Sequence, residues 1–149
     1  MTIGSLAYRI ATVGTTTGTA ALYSDGITGG IHRPLTLLGY TAQAANTSLA
    51  TVSGPLNAGV SVTEGLIWEC GTQGDSTAKW SLQSIGYNIP YVGNTSNSAI
   101  FTNTGSALTF AITYGATAAL TWPASLSGTT FSEASNIAPL ILFQLSSVP

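Results

Sequence analysis

Large apolar side chains alternate with small or hydroxyl-bearing ones along Ala107–Tyr114, the clearest pattern in the chain. Leu108, Phe110 and Ile112 fall on one face of an extended backbone, whereas Thr109 falls on the other. A period of two is typical of a β-strand that packs one face against a core. This segment is therefore predicted to be a strand with its large side chains buried.

The alternation resumes after Gly115 over Ala116–Trp122, and Pro123 ends it because proline cannot donate to a strand ladder. These two runs predict a tight hairpin. Further predicted strands are Ile3–Val13, Thr36–Gln43, Leu49–Val52, Gly59–Cys70 with a bulge at Gly65, Trp80–Ile89 with a bulge at Ser84, Ile100–Thr102 and Ala138–Val148. The last run is apolar on both faces, so we expect it to be covered on both sides.

Clusters of glycine with serine, threonine or asparagine recur between these runs, a spacing typical of an all-β sandwich or barrel. The strongest hairpin signal among them is Asp25-Gly26. Tyr40–Leu49 contains three alanines and is where we expect a helical turn. The predicted turns are Gly14–Thr19, Ser24–Gly26, Gly29–Gly30, Ser53–Asn57, Gly71–Ser76, Gly93–Ser98, Asn103–Ser106 and Ser125–Gly128.

The pattern contains no internal repeat and no break in composition. It predicts a single domain over residues 1–149 of the all-β class. The expected architecture is a two-sheet sandwich or jelly roll of roughly nine or ten strands.

Charge is nearly absent: charged residues make up 5% of the chain, and the formal net charge is −2. Arg9, Arg33 and Lys79 are too few to build the basic face that nucleic acid or an anionic membrane surface requires. No run reaches the roughly 20 apolar residues of a transmembrane helix. The N-terminus lacks the signal-peptide pattern, so we expect synthesis in the cytoplasm and neither a nucleic-acid nor a membrane partner.

Threonine, serine and glycine together supply 57 of the 149 residues, so hydroxyls and backbone carry the polarity. Dispersed charge normally keeps soluble monomers apart. A chain with so little charge is expected to bury much of its surface in a permanent homo-oligomer, with a homotrimer preferred.

The one histidine, His32, lies seven residues after Asp25. A Ser–His–Asp triad would need both groups beside a serine nucleophile. No Gly-x-Ser-x-Gly sequence presents such a serine, so we interpret His32 as part of a turn before Pro34.

Glu64 and Glu69 form the one close pair of carboxylates. Five residues apart on a regular strand, they point to opposite faces, which disfavours a glycosidase-like pair. We predict instead a salt bridge to Arg9, Arg33 or Lys79, or a place in a subunit interface.

The remaining candidate ligands also favour structural roles. Asp75 offers one carboxylate, whereas calcium requires several, so it is interpreted as a solvated turn residue. Cys70 allows no internal disulfide and is interpreted as a small buried residue at a strand end. Gly14–Gly18 lacks the lysine of a phosphate-binding loop. We assign no catalytic, cofactor-binding or metal-binding residue, and we expect no cofactor.

The tryptophans Trp68, Trp80 and Trp122 each share parity with aliphatic residues. That pattern favours a core role over a sugar-stacking platform. Asn46-Thr47-Ser48 and Asn94-Thr95-Ser96 match the glycosylation pattern and are interpreted as chance matches.

Short, lysine-poor strands rich in Gly, Ser, Thr and Ala, a start without a leader, and the apolar run Ala138–Val148 almost at the end resemble the small β-rich structural proteins of virions. The resemblance is to the phage head decoration, or cement, type and covers the whole chain. It implies a non-enzymatic jelly-roll or sandwich subunit, commonly trimeric, bound to the major capsid protein lattice on the virion exterior.

Two other functions stay open. A tail-fibre or adhesin tip would bind cell-surface carbohydrate through exposed aromatics such as Tyr91. A pilin-like subunit would complete a neighbour's sheet with an exposed strand. An enzyme is disfavoured because acid–base catalysis needs titratable groups. Met1–Ser5 and Ser146–Pro149 are predicted to be arms that lie on neighbouring subunits.

Overall fold

Ten β-strands and no helix occur in the part of the chain that the computed structural model describes, residues 1–62, 65–75, 77–81, 109–113, 120–135 and 141–147. The strands are β1 (Thr2–Thr12), β2 (Thr17–Thr28), β3 (Ile31–Tyr40), β4 (Ala44–Ala45), β5 (Thr51–Ser61), β6 (Ile67–Gln73), β7 (Lys79–Trp80), β8 (Thr109–Thr113), β9 (Ser132–Ser135) and β10 (Ile141–Ser147). The all-β prediction is confirmed.

β1 organises the first antiparallel sheet by pairing with β5, β7 and β10. Its side chains Ile3, Leu6, Tyr8 and Ile10 are at most 3% exposed. The buried parity changes after Ile3 because the register with both β5 and β10 shifts between Ile3 and Ser5. The irregularity lets one long strand keep its large side chains on a single face.

β2 organises the second antiparallel sheet by pairing with β3, β4 and β6. It joins β3 through Gly29-Gly30, whose φ angles are 60° and 78°. A two-residue hairpin turn of the primed type needs positive φ at both central positions, which glycine adopts without steric cost. The turn predicted at Gly29–Gly30 is confirmed.

The two sheets pack face to face over one hydrophobic cluster. Tyr8 and Trp80 stack within it with ring centroids 3.8 Å apart, and burial raises the pKa of Tyr8 to about 12. The buried members are Ile3, Leu6, Tyr8, Ile10, Ala20, Leu22, Leu56, Val60, Trp80 and Ile141. The described fold is therefore sandwich-like.

A second cluster lies on the opposite face of the second sheet. Ala21, Tyr23 and Trp68 come from that sheet, whereas Leu126 and Phe131 come from the segment that covers it. Trp122 packs against this cluster, and Trp68 and Trp80 are 6% and 9% exposed, so the core role predicted for the tryptophans is confirmed.

The sequence prediction is wrong around β2, which it did not recognise as a strand. Asp25-Gly26 lies within β2, and the chain reverses only at Gly29-Gly30. Tyr40–Leu49 contains no helical turn, because Ala44–Ala45 pairs with β2 as β4. The turn predicted over Gly14–Thr19 ends early, since β2 begins at Thr17.

The strand predicted over Gly59–Cys70 is divided in the structure. β5 ends at Ser61 and β6 begins at Ile67. Gly65 has a φ of 107°, so it belongs to the connection and not to a bulge within a strand. The turn predicted at Ser53–Asn57 is wrong, since β5 runs through it. The turn predicted at Gly71–Ser76 begins later, since β6 continues to Gln73.

The hairpin predicted between Ala107–Tyr114 and Ala116–Trp122 lies largely outside the described residues; of its two runs, Thr109–Thr113 forms β8, which pairs with β9. Leu120 has a positive φ of 65°, so this residue of the second run is not extended. The chain itself does not provide the double coverage predicted for Ala138–Val148, since Leu142 and Phe143 on β10 are 55% and 50% exposed.

The terminal segments are parts of the first sheet and not arms on neighbouring subunits. Thr2 pairs with Ser147, and the Met1 carbonyl accepts a 2.8 Å hydrogen bond from the Val62 N–H. Several predictions lie outside the described residues: those on Glu64, Ile85, Tyr87, Ile89, Tyr91, Gly93–Ser98, Ile100–Thr102, Asn103–Ser106 and the terminal residues Val148 and Pro149.

Candidate functional site

The turn end of the β2–β3 hairpin brings together the two residues considered for a triad. His32 Nδ1 lies 2.6 Å from Asp25 Oδ2, and Trp68 Nε1 on β6 donates to Asp25 Oδ1 at 2.9 Å. Each carboxylate oxygen thus has its own partner. These partners explain why Asp25 can lie within a strand.

His32 belongs to β3, so its interpretation as a turn residue before Pro34 is wrong. Its side-chain hydrogen bond among the described residues is to Asp25. The contact links the two strands of the hairpin. The arrangement can orient the hairpin end, and the described contacts place no serine hydroxyl on the imidazole.

A pocket of about 310 Å³ opens beside this hairpin end. One wall comes from β2 and β3, and the other is the loop Leu126–Phe131. We call it the hairpin pocket; its lining residues are Gly26, Thr28, Arg33, Pro34, Leu35, Leu126, Ser127, Gly128, Thr129, Thr130 and Phe131. The lining combines one cation with hydroxyl and aliphatic groups.

The loop wall of the pocket is fixed by hydrogen bonds to β3. The Leu126 N–H donates to the Leu35 carbonyl at 2.8 Å, and the Leu37 N–H donates to the Ala124 carbonyl at 3.0 Å. Within the loop, the Thr129 N–H donates to the Leu126 carbonyl at 3.1 Å. Leu126 itself is 3% exposed, so the wall is anchored by burial as well.

Arg33 supplies the positive charge of the hairpin pocket. Its guanidinium carbon lies 5.2 Å from the centroid of the Phe131 ring, within the range of a cation–π contact. Among the described residues, no carboxylate oxygen lies within 4.0 Å of Arg33. The neighbouring carboxylate, Asp25, is instead engaged by His32 and Trp68.

Asp75 lies in the connection between β6 and β7, in agreement with its interpretation as a turn residue, and it also ties two loops together. Its carboxylate accepts hydrogen bonds from the backbone N–H groups of Thr15, Thr16, Thr77 and Ala78 and from the Thr16 hydroxyl. The bonds from Ala78 and Thr16 hold the pKa of Asp75 well below its usual range. The carboxylate is therefore a structural link between the β1–β2 and β6–β7 connections.

Glu69 lies on β6 opposite Leu22 of the first cluster. Burial raises the pKa of Glu69 to about 7. Burial, followed by the charge of Glu69, raises the pKa of Cys70 to about 12, so the thiol is protonated at neutral pH. The predicted salt bridge of Glu69 is not formed among the described residues.

The sequence singled out Asp25, His32, Glu69 and Asp75, and the structure brings only the first two together. It missed the hairpin pocket, because the Leu126–Phe131 loop reaches β3 by pairing over about ninety residues of chain. Arg33 was visible as one of three cations, yet no local pattern placed Phe131 beside it.

No protein-family model, curated protein or solved structure shows significant similarity to this chain. In the described part of the chain, no helix has the length and apolar character to cross a bilayer. Three or more His, Cys, Asp or Glu side chains do not gather anywhere among the described residues in a way that would hold a metal ion.

Proposed function

We propose that this chain is a non-enzymatic virion structural protein, a homotrimeric decoration or cement protein that binds the major capsid protein and reinforces the capsid exterior. The observation that carries the proposal is the scarcity of charge on the first sheet, where Lys79 on the short strand β7 is one of two charged residues. Its long strands β1, β5 and β10 contain one charged residue, Arg9. An extended surface with so little charge favours burial in an assembly over permanent contact with water.

The outer face of this sheet has a row of side chains that suits such a contact. Leu142, Ala7 and Ser53 pair side by side across β10, β1 and β5. Ala7 lies between the core residues Leu6 and Tyr8, so the row points away from the core. Burying the exposed half of Leu142 would contribute about 1 kcal/mol. We call Leu142, Ala7 and Ser53 the outer row.

The fold also supports a mechanical role. Two sheets joined by one apolar cluster resist shear, and the Asp75 carboxylate fixes two loops through five hydrogen bonds. These contacts stiffen the subunit without disulfides.

Labelling and binding on particles test the proposal. Gold-labelled antibody against the chain should decorate the heads of virions from the producing cells. Quantitative mass spectrometry of these virions should find the chain at high copy number. Purified protein should saturate empty capsids from the same cells. Detection only in the soluble fraction, with turnover of a small molecule, would contradict the structural role.

Charge placed on the outer row tests the surface itself. We expect Leu142→Glu combined with Ser53→Glu to abolish capsid binding, because two carboxylates would be desolvated in the contact. Leu49→Glu is the matched control, since Leu49 is 65% exposed but lies outside the strands of the first sheet. Equal binding by both variants would show that the outer row is not the contact.

A further inference from the structure

The hairpin pocket holds a cation whose charge is not matched by a described partner. Arg33 is half-buried and rests on Phe131, while Asp25 beside it is already engaged through both oxygens. A guanidinium held in this way has donors left for a planar anion, and a carboxylate matches its fork geometry. A single cation also suits a ligand with a single negative charge.

The rest of the pocket is built for hydrogen bonding to a polyol. Thr28, Ser127, Thr129 and Thr130 bring hydroxyl groups to the lining, and each hydroxyl can both donate and accept. Leu35 offers an aliphatic surface that can contact the C–H groups of a sugar ring. The volume of about 310 Å³ lies at the lower end of the range of small-molecule sites, which suits a ligand of one sugar ring.

The site is also preformed. The hairpin wall is fixed by the β2–β3 ladder, and the loop wall by its bonds to Leu35 and Leu37. The Ser127 N–H donates to Ser125 Oγ at 3.2 Å, which holds the start of the turn at Gly128. A ligand would therefore meet ordered walls and would not have to order a loop.

We propose that the hairpin pocket binds a monosaccharide that carries a carboxylate, of the uronic or sialic acid class. The Arg33 guanidinium donates to the carboxylate, and the loop hydroxyls bind the ring hydroxyls. This binding goes beyond capsid decoration and does not require it. It would give the protein selectivity for acidic glycans.

Titration of the isotope-labelled protein by NMR tests the site. Glucuronate and N-acetylneuraminate should shift the amide signals of the 126–131 loop, with dissociation constants of about 1 mM. Glucose and acetate should each bind at least tenfold more weakly, because glucose lacks the carboxylate and acetate lacks the ring hydroxyls. Equal binding of acetate and glucuronate, or no shift with either acid at ~50 mM, would overturn the proposal.

Substitutions of the arginines test which cation binds the carboxylate. We expect Arg33→Gln to weaken glucuronate binding at least tenfold and Arg33→Lys to weaken it several-fold, since lysine keeps the charge but lacks the fork. Arg9→Gln is the matched control, because Arg9 is an exposed cation on β1 and should leave affinity unchanged. An equal loss in Arg9→Gln would assign the effect to net charge and overturn the site.

A second variant tests the site while leaving the Arg33–Phe131 contact in place. Ser127→Ala removes one exposed hydroxyl and should weaken binding a few-fold with an unchanged circular dichroism spectrum; full affinity in this variant would contradict the role of the loop.

Methyl glycosides of the two acids then distinguish the source of the ligand. Retained binding identifies the end of a glycan chain, and binding of the free acids alone identifies a free sugar.

Discussion

Two carboxylates outside the hairpin end, Glu69 and Asp75, behave in opposite ways because their surroundings differ. Asp75 is stabilised as a charge by five hydrogen bonds, which lower its pKa. Glu69 is half-buried, and this burial raises its pKa to about 7. It shares parity with Ile67, which packs against the cluster between the sheets. Asp75 therefore favours folding when it is charged, and Glu69 favours folding when it is neutral.

Glu69 makes the stability of the fold depend on pH. Its folded pKa of about 7 lies above the ordinary value of 4.5, so the folded state binds more protons than the unfolded state between these values. The free energy of unfolding should therefore fall as pH rises from about 4.5 to about 7. We expect Glu69→Gln to remove this slope and to be more stable at pH 8 by on the order of 2 kcal/mol.

Urea unfolding of both proteins at several pH values measures this effect. The two should be closest in stability at pH values well below 4.5, where Glu69 is neutral in both the folded and the unfolded state. Parallel stability profiles for wild type and variant from pH 4.5 to pH 7 would contradict burial as the cause of the raised pKa.

At the scale of elements, the approach of the two sheets depends on the absence of side chains under Trp80. A Cβ added at Gly71 would lie 2.3 Å from the Trp80 ring, and one added at Gly18 would lie 2.7 Å from it. Both glycines belong to strands of the second sheet, whereas Trp80 pairs with β1 of the first. Glycine is thus required here by contact between sheets.

We expect Gly71→Ala to destabilise the fold by about 1–3 kcal/mol, because the added methyl group must displace Trp80 from the cluster. Urea denaturation monitored by tryptophan fluorescence measures the loss. Gly54→Ala on β5 is the matched control, since its Cβ would meet Thr41 at an ordinary 3.6 Å. A loss no larger in Gly71→Ala than in Gly54→Ala would show that Trp80 can shift at little cost.

The elements that sequence predicted well are those whose pattern is local. β1 was recognisable from its alternation, and the turn at Gly29-Gly30 from the two glycines that positive φ favours. β2 was missed because Asp25-Gly26 resembles a turn. Its extended conformation depends on His32 and Trp68, which pair with Asp25 only in the folded chain.

The candidate site was predictable only in its parts. The scarcity of cations drew attention to Arg33, but its contact with Phe131 depends on a loop that joins β3 from a distant part of the sequence. The partners of Asp75 likewise come from two separate connections. Long-range pairing of this kind leaves no periodic signal in the sequence.

At the scale of the whole molecule, the low charge of the chain and the low charge of the first sheet have the same consequence. Electrostatic repulsion does little to separate copies of this chain, and the strands of the first sheet offer hydroxyl and aliphatic groups for contact. An interface made from such groups depends on burial and hydrogen bonds. Salt screens neither of these effectively.

We therefore expect the purified protein to sediment as a homotrimer of about 45 kDa, three chains of 15.1 kDa, at both 0.05 M and 1 M NaCl. Burial of apolar surface should hold the trimer as firmly at high salt as at low salt, whereas a trimer held together by ion pairs would dissociate at high salt. Sedimentation velocity over a hundredfold range of concentration makes the measurement. A stable monomer at high concentration would contradict the argument from composition, and a trimer that dissociates in 1 M NaCl would show that its few charges hold the subunits together.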